Sequence, residues 1–332
     1  WARRSPRKPH GRHRRQTGRK TARHGMKILV TGCNGFVGRH AQAALRAAGH
    51  EVIGCDVACA PDSACLPLDV RDLPAVWRLL TNVCPDAILH LGGLAFVPLG
   101  WTEPQRVFAV NTIGTLNILD AVRQTAPATR VLVVTSAEVY GSHPAPAPLT
   151  EDAPYLPDNI YGVAKAAADQ SALLYAVHHK LAVMVARPSN HIGAGQSKDF
   201  VSTAFAAQLA AIAAGAPPVM RVGNLDQQRD FTDVRDVARA YALLLAQGRP
   251  GLAYNIASGL MRPVRDILTG LCEISGLHPR VETDPALFRP NRDRPAYDTS
   301  RIRQHVGWQP LIPLRQTLAD IYADIQAQRA SS

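Results

Sequence analysis

The sequence predicts an α/β fold: a doubly wound parallel (Rossmann) sheet joined to a smaller, interleaved C-terminal domain. Three observations predict it. From Met26 onward, short apolar runs alternate with longer runs of helical period. A glycine-rich turn joins the first of these strands to the first helix. After Pro188 the alternation gives way to helices separated by loops rich in Gly, Asn and Arg, which indicates a second structural unit.

Five apolar runs have the length and composition of buried strands. They are Lys27–Thr31, Glu51–Cys55, Ala87–Leu91, Arg130–Thr135 and Leu181–Ala186. Helical periodicity predicts four helices between or beside them: Arg39–Ala48, Val76–Leu80, Thr112–Thr125 and Val163–His179. Right-handed crossovers then place these helices on both faces of the sheet.

Beyond Pro188 the periodicity predicts four further helices: Ser202–Ala214, Val234–Gln247, Val264–Gly276 and Leu314–Arg329. The apolar run Ala253–Ala257 predicts a strand that returns to the first sheet. We therefore expect a Rossmann domain over 26–187, to which 230–257 return. We expect a substrate domain over 188–229 and 258–330.

Composition excludes several classes of protein. The 332 residues are 46% hydrophobic and 19% charged, which is typical of a globular chain and not of a disordered one. No apolar stretch approaches the roughly 20 residues that a membrane-spanning helix needs. A cytoplasmic protein with no membrane partner is expected.

The net charge of +11 is concentrated at the N-terminus. Residues 1–25 hold 10 of the 37 Lys and Arg and no Asp or Glu, which leaves 27 basic against 26 acidic residues in the remainder. A nucleic-acid partner is therefore not expected for the body of the protein. We interpret 1–25 as a disordered, non-native extension ahead of a natural start at Met26; a genuine basic arm is the alternative.

The six cysteines include no C-x-x-C pair and no paired metal-ligand spacing. We expect reduced, mostly structural thiols and no metal. A metal held by Cys55, Cys59 and Cys65 is the alternative.

A cofactor site is predicted at the first strand-to-helix turn. Gly32, Gly35 and Gly38 have the spacing G-x-x-G-x-x-G, and Asp56 follows 18 residues after Gly38, at the end of the second strand. Such glycines let a diphosphate approach the backbone and the helix N-terminus, and the acid accepts hydrogen bonds from the adenosine ribose. The charge of Asp56 favours NAD(H), whereas Arg39 keeps NADP(H) open.

Other residues of the turn and of the following strand ends complete the predicted cofactor site. Asn34, Phe36 and Val37 belong to the turn itself. Asp69 and Val70 are expected at the adenine, and Leu91, Gly92 and Gly93 at the nicotinamide-side ribose.

Tyr161 and Lys165 form a candidate catalytic pair because their four-residue spacing places both on one helix face. Ser136 ends a predicted strand, where a parallel sheet presents residues to ligands. A lysine ammonium lowers the pKa of a nearby phenol, so Tyr161 is expected to exchange protons near neutrality. Ser136 would hold the same substrate oxygen, and Lys165 would also hold the nicotinamide ribose.

Together these motifs resemble the extended short-chain dehydrogenase/reductases that act on nucleotide sugars. The resemblance rests on the glycine turn, Ser136 with Tyr161 and Lys165, Arg187-Pro188 and the late Gly307-Trp308-x-Pro310, and it spans Met26 to Gln328. Residues 186–196 and 199–201 are most similar to the GDP-sugar branch. The resemblance implies reduction, with NAD(P)H, of the C4 ketone of GDP-4-dehydro-6-deoxy-D-mannose to GDP-D-rhamnose.

The resemblance also implies roles for single residues. Pro188 would lie against the nicotinamide and Asn190 near the substrate diphosphate. Arg229 and Arg294 would pair with the phosphates, and Asn111 would support the active-site helix. Members of the family commonly form homodimers through the helices predicted at 112–125 and 163–179. The alanine-rich face Ala164, Ala167, Ala168, Ser171 and Ala172 would serve that contact or pack internally.

Glu138 keeps a second reaction open. Dehydratases of this family place a glutamate two residues after the serine to remove the proton at C5, which a reductase does not require. Ala137 stands where dTDP-glucose dehydratases carry an acid, although GDP-mannose dehydratases have a small residue there. GDP-mannose 4,6-dehydratase and other nucleotide-sugar epimerases or dehydratases are therefore the alternatives. A non-catalytic sensor or nucleic-acid-binding member of the fold is disfavoured because Ser136, Tyr161 and Lys165 are all present.

Overall fold

The computed structural model describes residues 25–143, 148–288 and 294–330. Its principal sheet has seven strands: β1 Lys27–Thr31, β2 Glu51–Asp56, β3 Leu66–Pro67, β4 Ala87–His90, β5 Arg130–Val134, β6 Val183–Pro188 and, later in the chain, β10 Ala253–Ile256. They lie in the order β10-β6-β5-β4-β1-β2-β3, and every neighbouring pair is parallel. The doubly wound parallel sheet is confirmed.

Helices cover both faces of this sheet. Along the chain the helices are α1 Phe36–Ala47, α2 Leu73–Val83, α3 Leu99–Thr102, α4 Pro104–Phe108, α5 Gly114–Thr125, α6 Ile160–His178, α7 Val201–Ala213, α8 Val234–Gln247, α9 Val264–Ser275, α10 Ser300–Val306 and α11 Leu314–Ala330. Of these, α1, α8 and α10 pack on one face of the sheet and α2, α5 and α6 on the other. Helix α1 starts three residues before the predicted bound because Gly35 leads directly from the turn into the helix. A π-helical turn, Ala109–Ile113, precedes α5.

Short strands outside the main sheet form two small sheets in the C-terminal half of the chain. Strands β7 Asn190–Ile192, β9 Gln228–Asp233 and β11 Met261–Pro263 form a three-stranded sheet, and β8 Val219–Val222 pairs with β12 Arg280–Thr283. Their apolar core is formed mainly by α7, α9 and α11. As predicted, β10 returns to the main sheet.

Residues 300–308 do not pack with the domain in which the sequence predicts them. Trp308 is fully buried in the core of the main sheet together with Ile302 and Val306. Its indole N–H donates to the Asp236 carbonyl over 2.9 Å. Residues 300–308 therefore pack with the Rossmann core, although the sequence predicted them in the second domain.

The expectation of six reduced thiols is wrong for one pair. The loop after β2 turns back on itself and joins Cys59 to Cys65 in a disulfide, with Cα atoms 5.5 Å apart. Cys33, Cys55, Cys84 and Cys272 are free thiols. In the described part of the chain no group of three or more metal-ligating side chains gathers at one place.

Helix α6 uses its alanines internally. Ala164, Ala168 and Ala172 are buried within the chain, whereas Ala167 and Ser171 of the same predicted face are half-buried. The outward face instead presents Val163, Leu174 and Val177, of which Val177 is 69% exposed.

Across the described helices, none is long and apolar enough to cross a membrane. The predicted basic extension lies outside the described residues except for Gly25.

Candidate active site

The glycine turn shapes a diphosphate cradle. Gly32 adopts a positive φ of 69°, which favours glycine, and its carbonyl accepts the N–H of Gly35. A Cβ on Gly38 would overlap the Gly32 carbonyl and lie 2.7 Å from the oxygen of Cys33. Because no side chain fits there, the first turn of α1 packs directly on the loop, and its free N–H groups can bind an anion.

Asp56 lies beside this turn at the end of β2. One carboxylate oxygen accepts the Asn34 N–H over 3.0 Å and the other accepts the Ala58 N–H over 3.2 Å. Arg39 donates to the carbonyls of Asn34 and Gly195. The carboxylate thus occupies the place expected for ribose recognition, and the Arg39 guanidinium is held by backbone oxygens.

A cavity of about 710 Å³ begins at this turn and crosses the carboxyl ends of the strands, within the size range of cofactor sites. It is lined by every residue for which cofactor contact was predicted: Gly32, Asn34, Gly35, Phe36, Val37, Gly38, Asp56, Asp69, Val70, Leu91, Gly92, Gly93, Tyr161, Lys165 and Pro188. Ser136, Glu138 and Asn190 line it as well. No sequence pattern indicated the other aromatic residues that line the cavity, which include Tyr241, Phe231 and Tyr297.

Ser136, Tyr161 and Lys165 all line this cavity. Ser136 caps the 3₁₀ turn Ala137–Tyr140 and hydrogen-bonds to the Tyr161 hydroxyl. Asn159 caps α6 by accepting the Gly162 N–H over 2.8 Å, which fixes Tyr161 in the first turn of that helix. The Lys165 ammonium donates to the Val134 carbonyl over 3.0 Å.

The expected lowering of the Tyr161 pKa is not found. Burial raises the pKa of this phenol, the nearby Glu138 charge raises it further, and only the Ser136 hydrogen bond opposes them. The Lys165 ammonium is not among the groups that perturb it. Burial therefore favours the protonated form of the Tyr161 phenol, which can donate a proton.

Burial acts in the opposite direction on Lys165 and lowers its pKa to about 8. Between pH 8 and the reference value of about 10.5, the unfolded chain holds a proton that the folded chain has released, so wild-type stability rises with pH in this window by roughly 3 kcal/mol. We expect Lys165→Met to abolish that rise. Urea unfolding of wild type and of Lys165→Met is measured at pH 7 and at pH 10. The free energy of unfolding of wild type, relative to that of the variant, should increase by roughly 3 kcal/mol between the two pH values. A pH-independent difference would contradict the assignment.

Glu138 is held by a buried cation. Arg294 donates to its two carboxylate oxygens over 2.6 and 2.9 Å, and Asn159 donates to one of them over 2.9 Å. The Arg294 side chain is only 6% exposed and lies 3.6 Å from Asp158. Two carboxylates therefore face the Arg294 guanidinium in this structure, and its predicted contact with a phosphate stays a prediction.

A second cavity of about 340 Å³ adjoins the first, with Asn190, Val201 and Phe231 lining both. Arg229 and Arg221 line its wall. Arg229 donates to the Gln228 carbonyl and the Gln227 side chain. Asn190 and Arg229, both predicted to contact substrate, thus line the same cavity.

Two buried networks that the sequence did not reveal support the site. His90 bridges Thr31 over 2.8 Å and Thr115 over 3.1 Å, and burial lowers its pKa to about 3. Asn111, expected to support the active-site helix, instead pairs through its side-chain amide with both backbone polar groups of Leu94. Both networks fix the loop after β4, which passes beneath the cavity.

A parallel sheet with a glycine turn, and a serine, a tyrosine and a lysine gathered at its carboxyl edge, define an extended short-chain dehydrogenase/reductase. A sequence model described as GDP-mannose 4,6 dehydratase matches residues 29–321. The chain is a member of the family that this model describes.

Relatives agree with this assignment. The chain is 35% identical over 305 residues to GDP-6-deoxy-D-mannose reductase of Pseudomonas aeruginosa, covering 91% of this chain and 98% of the relative. It is similar to the structure of RMD from Pseudomonas aeruginosa complexed with NADPH, with a TM-score of 0.82, 33% identity and coverage of 91% and 99%. UDP-glucose 4-epimerase of Thermus thermophilus, solved with NAD, gives a TM-score of 0.80 at 25% identity, covering 91% and 99%.

Proposed function

We propose that this chain reduces the C4 ketone of GDP-4-dehydro-6-deoxy-D-mannose to GDP-D-rhamnose with NADH or NADPH. The observation that carries the choice of reaction is the state of the two candidate proton-transfer groups. Tyr161 is a protonated donor, whereas Glu138 is paired with Arg294. The identity to a GDP-6-deoxy-D-mannose reductase over nearly its full length supports the choice of substrate.

The residues present fit a nicotinamide dinucleotide. The tightly packed glycine turn accommodates a diphosphate, and Asp56 can accept ribose hydroxyls. A bound reduced nicotinamide supplies the hydride that adds to the ketone carbon. Relatives solved with NADPH and with NAD support either cofactor, and the Asp56 charge favours NADH.

The chain's own groups would handle the proton. Tyr161 donates its phenolic proton to the oxygen of the former ketone, and Ser136 hydrogen-bonds the same oxygen. The raised pKa of Tyr161 keeps the donor form populated at neutral pH. The Lys165 ammonium donates to the Val134 carbonyl at the end of β5, where it would hold the nicotinamide ribose. Asn190 and Arg229 would bind the diphosphate in the second cavity.

GDP-mannose 4,6-dehydratase is the second candidate, and one observation favours it: Glu138 lines the main cavity. Removal of the C5 proton requires a carboxylate able to accept it. The Glu138 oxygens already accept from Arg294 and Asn159, and Ala137 supplies no acid for the departing hydroxyl. The arrangement therefore favours reduction.

Glu138→Gln separates the two functions. We expect this variant to retain ketone reduction within about threefold of wild type, because the substitution removes a charge that the proposed reaction does not use. Reduction is followed by loss of reduced-nicotinamide absorbance, and the product is identified as GDP-D-rhamnose by NMR. If wild type converts GDP-mannose to its 4-keto-6-deoxy product and Glu138→Gln does not, the chain is the dehydratase.

The proposal includes a cytoplasmic homodimer. Val163, Leu174 and Val177 form an exposed apolar strip on α6, and such a strip is typical of a protein–protein contact. Light scattering at micromolar concentration tests the dimer, and replacing Val177 by glutamate should shift it toward monomer.

A further inference from the structure

Within the described part of the chain, the hydroxyl of Tyr241, a residue that lines the main cavity, has no hydrogen-bond partner. Tyr241 lies on α8 and is fully buried, and no described residue hydrogen-bonds its oxygen. A hydroxyl buried without a partner is costly, so most buried hydroxyls are satisfied in the functional state of a protein. Tyr241 nevertheless lines the cavity assigned to the dinucleotide.

The packing around Tyr241 locates this hydroxyl along the cavity. Tyr241 belongs to the core cluster against which Val37, Leu91 and Val134 pack. These three residues also line the cavity, at the first turn of α1, after β4 and at the end of β5. Val70, at the predicted adenine end, belongs to the cluster on the other face of the sheet. Tyr241 therefore lies on the face of the sheet that α1 and α8 cover, the same face as Val37, Leu91 and Val134.

The direction of α8 agrees with this placement. Its first residue, Val234, lies beside Gly193, which in turn adjoins Phe36 at the cavity wall. Side chains on a helix lean toward its N-terminus, so Tyr241 points from the core back toward the cavity. Burial raises the pKa of Tyr241 and the nearby Tyr161 raises it further; both phenols line the same cavity.

We infer that Tyr241 is a cofactor-positioning residue whose hydroxyl hydrogen-bonds a polar atom of the nicotinamide half of the dinucleotide. This inference rests on the proposed function, since it requires a nicotinamide cofactor. The hydroxyl is kept in an apolar core at a cost to the ligand-free protein and is satisfied when the cofactor binds.

Tyr241→Phe tests the inference through binding and stability. We expect the dissociation constant for NADH, measured by nucleotide fluorescence or calorimetry, to rise about five- to tenfold. AMP, which lacks the nicotinamide half, should bind both proteins equally. The Tm of the ligand-free variant should equal or exceed that of wild type because the substitution removes an unpaired polar atom.

Tyr254→Phe is the matched control. Tyr254 is equally buried in the same cluster, but its hydroxyl accepts the Arg249 N–H over 2.9 Å and lies 3.0 Å from His305 Nδ1. This variant should lower the Tm and leave NADH binding unchanged. Tyr241→Phe behaving the same way, or weakening AMP as much as NADH, would overturn the inference. Failure of wild type to bind NADH or NADPH would instead remove the proposed function on which it depends.

Discussion

Tyr161→Phe should lower kcat for ketone reduction by at least a hundredfold. Phenylalanine keeps the buried ring and removes the proton that the former ketone oxygen requires, and general acids typically contribute a factor of 10² to 10⁴. The alkoxide charge develops only in the transition state, so the loss should appear in kcat while the dissociation constant for the GDP-sugar changes little. Steady-state kinetics and calorimetry measure the two quantities.

Tyr175→Phe provides a control on the same helix. Tyr175 lies near the C-terminal end of α6 and packs against His179, away from the cavity, so this variant should retain full turnover. A Tyr161→Phe enzyme that keeps more than about a tenth of the wild-type rate would remove Tyr161 from the role of acid.

Arg187→Met should have the largest effect on stability, a loss of about 3–5 kcal/mol in the free energy of unfolding. The guanidinium is 1% exposed and donates twice to Asp169, which is fully buried. It also donates to the Tyr140 and Tyr155 hydroxyls and to the Glu151 carbonyl. Removing the cation leaves the Asp169 charge buried without its ionic partner, the costly case for an internal ion pair.

Arg265→Met is the control for this measurement. Its ion pair with Asp226 is more than half exposed on both sides, and such pairs contribute about 0–1 kcal/mol. Urea unfolding of both variants should show the contrast. Similar small losses would mean that the Arg187 network adds little to stability.

Because Arg187 connects β6 to α6 and to the turn carrying Glu138, we also expect Arg187→Met to lower turnover at temperatures where it remains folded.

Local patterns predicted most of the Rossmann core. Strand Lys27–Thr31 and helix Val234–Gln247 were predicted to the residue, because both have clear periodicity and definite boundaries. The residues that line the main cavity were predicted because a parallel sheet places its strand ends on one edge. Where periodicity was short, prediction failed: β7, β8, β11 and β12 have three or four residues each and acquire their pairing from the tertiary fold.

Pairings across long sequence separations were not predictable from residue types. Arg294 and Glu138 are 156 residues apart. Taken singly, Arg294 matched a phosphate ligand of the family and Glu138 matched the base of a dehydratase. The raised pKa of Tyr161 depends on burial, which a Tyr-x-x-x-Lys spacing does not report. Tyr241 reads as an ordinary apolar position of a helix, and only its placement under the cavity distinguishes it.

The most direct test of the account is to mix the protein with enzymatically prepared GDP-4-dehydro-6-deoxy-D-mannose and NADH or NADPH, and to follow nicotinamide absorbance. A parallel sample holds GDP-mannose with no added cofactor. The account predicts rapid cofactor oxidation in the first sample and no 4-keto sugar in the second. A 4-keto product from GDP-mannose, with no cofactor oxidation in the first sample, would contradict it and establish the dehydratase.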